Sequence, residues 1–518
     1  MNSVPKSKLD EIYFITDIDK VKNKEYDYIV VGGGAYGTGF IHRILELDPS
    51  SKILVLEKGD MLIPEHYQNL PQAYQSVFDS TTAQPWTMSD KQYNVHGQIP
   101  YLGGRALYWN AWVPEPTPAQ MRHWPEDVIE GLKKEWRLVD EFIGRSTTIQ
   151  INGKVSNFHR VMRERLFENL DKIPTSDYYD RASALDGAMA TLNPSKSWRR
   201  FSPVNILVED LQKYKEKIDV LVNCEAIGLE KTGKSISEIK TVRGTIQVKK
   251  AKVILSLGVI EPITLIKPTF PENKLLGRNF IGHFRSQVLV RFPKEAAGVS
   301  EHELHVAALY LSGMTMDREF HTHISCIYNP KGKEQEDNLY QVIPDPTNLG
   351  LYMDKGHVYF LLQCMAEIKD QRNEKSANYI DVKDGKTTIH FSLPKAELEV
   401  WDEVDRVIYQ VAEVMGAGSK AEYLQEDNKS WESKKPGKNF MRDYNLVHEA
   451  GVMWMGESEK DSVTDSYGKM HQTDNLYALG GALFPTCGSW NPTYTGIAMA
   501  YRLARKLTDK GNQQKNKR

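Results

Sequence analysis

Several things are scarce in this sequence, and each absence narrows what it can be. Its 518 residues include only 4 cysteines. Cys224, Cys326, Cys364 and Cys487 lie far apart and lack Cys-x-x-Cys spacing. That scatter suits buried free thiols in a reducing compartment better than a disulfide framework or a metal knuckle. An excess of one charge sign is also missing: the formal net charge is -2. This gives no electrostatic basis for a nucleic-acid or membrane-surface partner. No uninterrupted apolar run is long enough to span a bilayer. The opening stretch, MNSVPKSKLDEIYFITDIDKVKNK, has no apolar core followed by a small-residue cleavage site, as a secretory signal requires. The expectation is a cytoplasmic protein without nucleic-acid or membrane partners, its oligomeric state left open. Internal repeats and low-complexity tracts are absent, and the closing KGNQQKNKR reads as a solvated tail.

What is present suits a globular protein, with 40% apolar and 26% charged residues. The length exceeds what one hydrophobic core usually serves, so two domains are expected. The chain is organised around residues 26–57. Tyr28-Ile29-Val30-Val31 reads as a buried parallel strand that stops at Gly32-Gly33-Gly34. A helical pattern then runs through Phe40, Ile41, Ile44, Leu45 and Leu47, and a second strand, Ile53-Leu54-Val55-Leu56, ends on Glu57. This strand–turn–helix–strand context makes Gly32, Gly34 and Gly37 a dinucleotide-binding fingerprint. Gly32 permits the tight turn, Gly34 lets backbone approach a pyrophosphate, and Gly37 lets the helix pack closely on the strand. The helix N-terminus offers free N–H groups to phosphates, and Glu57 could accept from a ribose hydroxyl. The unit binds a dinucleotide, FAD or NAD.

After Glu57 the pattern becomes irregular and proline-bearing, as in a functional covering loop. It leads to residues 101–112 (YLGGRALYWNAW), where Gly103 and Gly104 precede aromatics that suit either a flat ring system or a tight turn with core aromatics. Residues 117–170 are largely helical in texture. Strand-like runs follow at 219–223, 236–239, 244–248 and 252–262, the last a return to the parallel sheet. Between 284 and 440, alternating stretches such as 357–362 and 386–391 predict strands, followed by one long amphipathic helix over 396–415. The last block predicts a strand over 475–479, a turn at Gly480-Gly481 and a helix from Thr495.

These segments together resemble the glucose–methanol–choline family of flavin oxidoreductases. The resemblance rests on the N-terminal motif, the Gly103-Gly104 region, LGRNFIGH at 276–283, HEAG at 448–451, and NLYALGGALFPTCGSWNPTYTGIAMAYRLARKL from Asn475. It implies an α/β fold with a discontinuous Rossmann-like FAD-binding domain and an α+β substrate domain built on a mostly antiparallel sheet. The expected division is an arm (1–24), an FAD-binding domain (25–116, 196–283 and 441–510), a substrate domain (117–195 and 284–440) and a tail (511–518). The resemblance makes FAD the cofactor, held by Gly32, Gly34, Gly37, Glu57, Gly103, Gly104, Asn110, Gly481 and Pro492. It places His448 and Asn491 at the catalytic positions. Asn491-Pro492 and the segment Gly103–Pro116 look most like the branch holding the pyranose oxidases, cholesterol oxidases and cellobiose dehydrogenases. Where that pattern has a flavin-linked histidine before a tryptophan, Tyr108 stands before Trp109, so non-covalent FAD is expected.

Alcohol oxidation by hydride transfer needs a base for the hydroxyl proton, and a neutral imidazole suits that role. His448 is expected to be the base. Asn491 is expected to hydrogen-bond the same oxygen, and Asn110 to place a polar group near the flavin. The implied partners are a small-molecule alcohol, first a sugar or glycoside, and oxygen or a quinone-type electron acceptor. The alternatives are a hydrophobic alcohol such as a sterol, a non-redox lyase on the same flavin scaffold, or a flavin-binding protein without catalysis. His321 and His323 would share one strand face, as two metal ligands might, but no matching cysteine or carboxylate set accompanies them and no metal is expected. His302 and His305 could share a helical face. The aromatics of 101–112 could stack on a sugar or simply pack.

Overall fold

The four β-branched and aromatic residues Tyr28–Val31 form a strand buried on both faces, as parallel strands covered by helices are. The structure is a computed structural model that describes residues 12–146, 150–151, 154–155, 157–174, 189–190, 199–299 and 302–509. Its frame begins with β1 (Tyr28–Val31), α1 (Ala35–Leu47), β2 (Ile53–Leu56), β3 (Ile218–Leu221) and β4 (Lys252–Leu255). It continues with β5 (Ile281–Pro293), β6 (His305–Thr315), β7 (Arg318–Tyr328), β8 (His357–Glu367), α2 (Lys395–Gly416), β9 (Arg442–Ala450), β10 (Leu476–Ala478) and α3 (Pro492–Thr508).

Five strands form a parallel sheet in the order β10-β4-β1-β2-β3. Pieces from the start, middle and end of the sequence therefore share one Rossmann-like layer. Helices α1 and α3 pack against each other. At the sheet edge, the Ile15 N–H donates to Val220 O at 2.7 Å, and Ile15 O accepts from the Val222 N–H at 3.2 Å. The expected arm over 1–24 is thus docked where it is described; residues 1–11 and the expected tail over 511–518 lie outside the described residues.

The second layer is a largely antiparallel eight-stranded sheet. Its main run is β6-β7-β8-β5, and α2 packs against β8 and β5. The far edge of β5 is shared: its first half pairs with β9, its second with Glu422–Leu424. The boundaries expected near 283 and 441 fall within this sheet, because β5 runs across the first and β9 belongs to the sheet. The expected covering loop is stitched down in two places. Trp86–Met88 pairs with Lys386–His390, and Asn94–Val95 pairs with β9.

Of the helical texture over 117–170, Glu126–Lys133 and Trp136–Ile143 pack on α3, whereas Asn157–Phe167 packs on β6 and α2. The strand expected over 252–262 stops at Leu255, turns at Gly258 (φ +75°) and resumes as the helix Glu261–Ile266. His302 and His305 do not share a helical face: His305 opens β6, and its alternating strand neighbours override the local spacing. The C-terminal helix begins at Pro492 rather than Thr495, because proline is well suited to the first helical turn.

Candidate active site

The carboxyl ends of β1, β2 and β4 open on one cavity of about 1170 Å³, the usual ligand position in a doubly wound sheet. Gly32 turns the chain away from β1 at φ +99°, where a Cβ would stand 2.4 Å from Ser256 O. Gly34 caps α1 without a side chain, and only Gly103 O, at 3.9 Å, would lie near a Cβ there. The N-terminal turn of α1 therefore faces the cavity with bare backbone. Gly37 lies behind it; its Cβ would meet Gly32 O at 2.5 Å.

Glu57 is buried at the end of β2, and burial pushes its carboxyl above the usual range. Its Oε2 accepts the Gly33 N–H at 2.9 Å and its Oε1 the Gly59 N–H at 3.2 Å. The acid therefore braces the glycine turn as well as lining the cavity. The Gly103 N–H donates to Gly33 O at 3.1 Å, and both Gly103 (φ +95°) and Gly104 (φ +55°) adopt positive φ. Asn110 and Pro492 line the same cavity. Gly481 does not. It lies in the short turn after β10, where its carbonyl accepts the Gly451 N–H at 3.0 Å and a Cβ would meet Glu449 O at 3.0 Å. Its small size serves packing between two segments rather than a cavity wall.

At the other end, β9 carries a bulge. Ile281 pairs with Ala450 but His283 with Val447, which leaves an extra residue on β9. His448 sits there at φ +58°, a conformation that persists where surrounding structure enforces it. The bulge brings His448 Nδ1 to 2.9 Å from His283 Nδ1 and its Nε2 to 3.0 Å from Asn491 Nδ2. Asn491 is the N-cap of α3, yet its side chain makes no capping bond. Its amide joins His448, and its Oδ1 lies 3.0 Å from His323 Nε2. The two expected catalytic residues are thus bonded to each other, and both line the cavity.

The floor beneath them is one face of the antiparallel sheet, built at alternate positions. Arg285 and Gln287 on β5, His323 on β7, and Gln363 and Met365 on β8 all reach the cavity. Gln363 Nε2 donates to Gln287 Oε1 at 2.8 Å and to Asp345 Oδ2 at 2.9 Å; Asn110 Nδ2 donates to the same carboxylate oxygen at 3.3 Å. Trp112 stacks on His323 with ring centroids 4.2 Å apart. His321 is buried beside His323, and among the described residues no His/Cys/Asp/Glu group could hold a metal. Sequence reasoning missed His283, His323, Asp345, Gln363 and Gln287 as site residues. The period-2 pairs 285/287, 321/323 and 363/365 carried the signal of a shared face, without revealing what that face opens on.

Burial, above all, holds these imidazoles neutral. It lowers His283 to about 4 and His323 to about 3. His448 is held well below the ordinary imidazole value by burial and then by His283, His323, Arg285 and His96.

Residues 375–500 match the family model described as GMC oxidoreductase, and the fold on which they sit supplies the nucleotide cavity expected of that family. Over this stretch the chain is similar to the GMC oxidoreductases. Over 130 residues it is 31% identical to glucose oxidase of Penicillium chrysogenum, a match spanning 23% of this chain and 20% of that enzyme. Similarity of fold extends along nearly the whole chain. The structure of pyridoxine 4-oxidase from Mesorbium loti superposes with a TM-score of 0.61 at 14% identity, covering 93% of this chain and 99% of that one. A formate oxidase of Aspergillus oryzae RIB40 gives 0.64 at 12% identity, covering 95% and 99%.

FAD is the cofactor that the similarity to GMC oxidoreductases implies, and the residues fit it. The cavity exceeds the roughly 300–1,000 Å³ of common ligand pockets. Gly34 leaves its backbone open to the cavity, and the N-termini of α1 and α3 both face it, where an anionic group gains from the helix dipoles. Gly32–Gly34, Glu57, Gly103, Gly104, Asn110 and Pro492 line this cavity and are the residues that would hold it. Among the described residues no helix is long and apolar enough to cross a membrane.

Proposed function

We propose that the protein is a GMC-type flavin oxidoreductase that oxidises an alcohol to a carbonyl compound, with His448 as the base. The carrying observation is the His448–Asn491 pair, held at 3.0 Å and opening on the cavity. FAD held in the cavity would supply the two-electron oxidising chemistry. The hydroxyl proton goes to His448 Nε2, which is neutral because burial depresses its pKa. The substrate oxygen displaces the Asn491 amide from that nitrogen. The amide then donates to the oxygen, orienting it and stabilising the charge that develops. A base so placed contributes about 10²–10⁴-fold in rate.

The floor of amides and charged groups favours a secondary alcohol bearing further hydroxyl groups, such as a sugar or glycoside, over a sterol. Asp345, Gln363, Gln287 and Asn110, already bonded to one another, and Arg285, paired with Asp443, keep further donor and acceptor capacity that hydroxyl groups can use and an apolar ring system cannot. Electrons then pass to oxygen or a quinone-type acceptor.

Anaerobic mixing of the FAD-loaded protein with D-glucose, methyl β-D-glucoside, cholesterol and 2-propanol tests the reading, with flavin absorbance followed. Bleaching by a sugar is expected. Bleaching by cholesterol alone overturns the polar-substrate reading, and no bleaching by any alcohol overturns the reaction. Admitting air, then a quinone, identifies the acceptor.

A further inference from the structure

The side chains behind His448 form a string whose proton positions are dictated from one end. His283 Nε2 lies 2.8 Å from Gly488 O. A backbone carbonyl only accepts, so His283 Nε2 must carry the proton of a neutral ring. Its Nδ1 is then bare and must accept from His448 Nδ1 at 2.9 Å. His448 therefore holds its single proton on Nδ1, which leaves Nε2 bare toward Asn491 Nδ2 at 3.0 Å. With the Asn491 amide nitrogen committed there, its Oδ1 accepts from His323 Nε2 at 3.0 Å. No assignment is left free along the string. Each of the three rings is consistent with neutrality, because burial depresses its pKa.

We propose that His283 is a positioning residue: by accepting the Nδ1 proton of His448, it locks His448 in the tautomer whose bare Nε2 faces the cavity. The inference rests on the reading of His448 as base. His283 is fully buried, is not among the cavity-lining residues and does not touch substrate. In the other tautomer Nε2 would carry a proton and could not take another from an alcohol. The string orients without draining. A proton handed to His283 would have to leave through Nε2 toward a carbonyl that cannot accept it covalently, so the substrate proton departs from His448 by the cavity. The titratable or charged groups facing His448 are His283 and Arg285 from β5, His321 and His323 from β7, and His96 from the covering segment.

The test pairs a spectroscopic readout with two substitutions in the FAD-loaded protein. In wild type, the ¹⁵N shifts of the His448 ring should report Nδ1–H; finding Nε2–H overturns the proposal without any variant. His283→Leu removes the acceptor and should populate Nε2–H. It should also slow anaerobic flavin bleaching by the best substrate of the panel about 10–10²-fold, with little change in KM, since a wrong tautomer forfeits part of the base's contribution. His283→Asn keeps an oxygen near the Nδ1 position. It should restore Nδ1–H and bring the rate to within several-fold of wild type, although it loses the Gly488 bond as the leucine variant does. Equal loss in both variants with an unchanged tautomer would mean a merely structural role. His448→Ala separates the two ideas. If it reduces normally, the base reading falls; if it fails while His283→Leu is normal, only the role of His283 falls.

Discussion

Two glycines three residues apart in one helix turn should fail in opposite ways when given a methyl group. At Gly37 the new Cβ would stand 2.5 Å from Gly32 O and 2.9 Å from Ser256 Oγ. The closer atom is backbone in a turn already fixed by the positive φ of Gly32, so α1 must retreat from β1 by on the order of 1 Å. Overpacking of this kind costs about 1–3 kcal/mol. An exposed helical Gly→Ala change would return about 1 kcal/mol through propensity. With an unyielding backbone atom in the way, the upper part of that range applies, and Gly37→Ala should remain a net loss of up to about 2 kcal/mol. At Gly34 only Gly103 O, at 3.9 Å, lies near the same methyl group. The residue lines the cavity, so the methyl intrudes on FAD rather than on protein. Losing a glycine cap costs up to about 1 kcal/mol, whereas FAD affinity should fall at least about tenfold, or 1.4 kcal/mol. The apoproteins are compared by thermal unfolding and by titration with FAD, following flavin fluorescence. Gly37→Ala should lower the apo midpoint by a few degrees more than Gly34→Ala does. If Gly34→Ala binds FAD as tightly as wild type, or destabilises the apoprotein as much as Gly37→Ala, the assignment of these two positions is wrong.

His448→Ala should slow anaerobic flavin reduction about 10²–10⁴-fold while the protein stays yellow after gel filtration; a normal reduction rate would sink the base assignment. Because burial lowers the His448 pKa, the active neutral form persists as pH falls below 6.5, and the acid limb of kcat/KM should appear below the ordinary imidazole range. An acid limb at or above pH 6.5 contradicts that environment. Acid precipitation should leave FAD in the supernatant, because Tyr108 occupies the position of the family's linking histidine; flavin retained on the precipitated chain would show a covalent bond from another residue. Asp345→Ala should raise KM for a sugar, since Asp345 Oδ2 bridges Gln363 and Asn110, with kcat less affected; an unchanged KM removes Asp345 from substrate recognition.

The sequence by itself determined the nucleotide half in detail. Four buried residues in each of β1 and β2, three glycines at fixed offsets and an acid at the strand end are local signals, and local sterics leave few other ways to arrange them. It pointed to His448 and Asn491 only through the family resemblance, on the positions that match its short motifs. Only tertiary structure decided what those two residues do to each other. The β9 bulge, the N-cap of α3 that spends no side-chain bond on its helix, and the face of β5, β7 and β8 come from segments up to about two hundred residues apart. Their meeting depends on sheet register, which no single stretch encodes. The same holds for Gly481, where the glycine pattern gave no sign that the residue sits behind the cavity wall. It holds for His283 as well: a histidine at the end of a glycine motif carries no mark of its role until Gly488 O and His448 Nδ1 come within hydrogen-bonding distance of its two ring nitrogens.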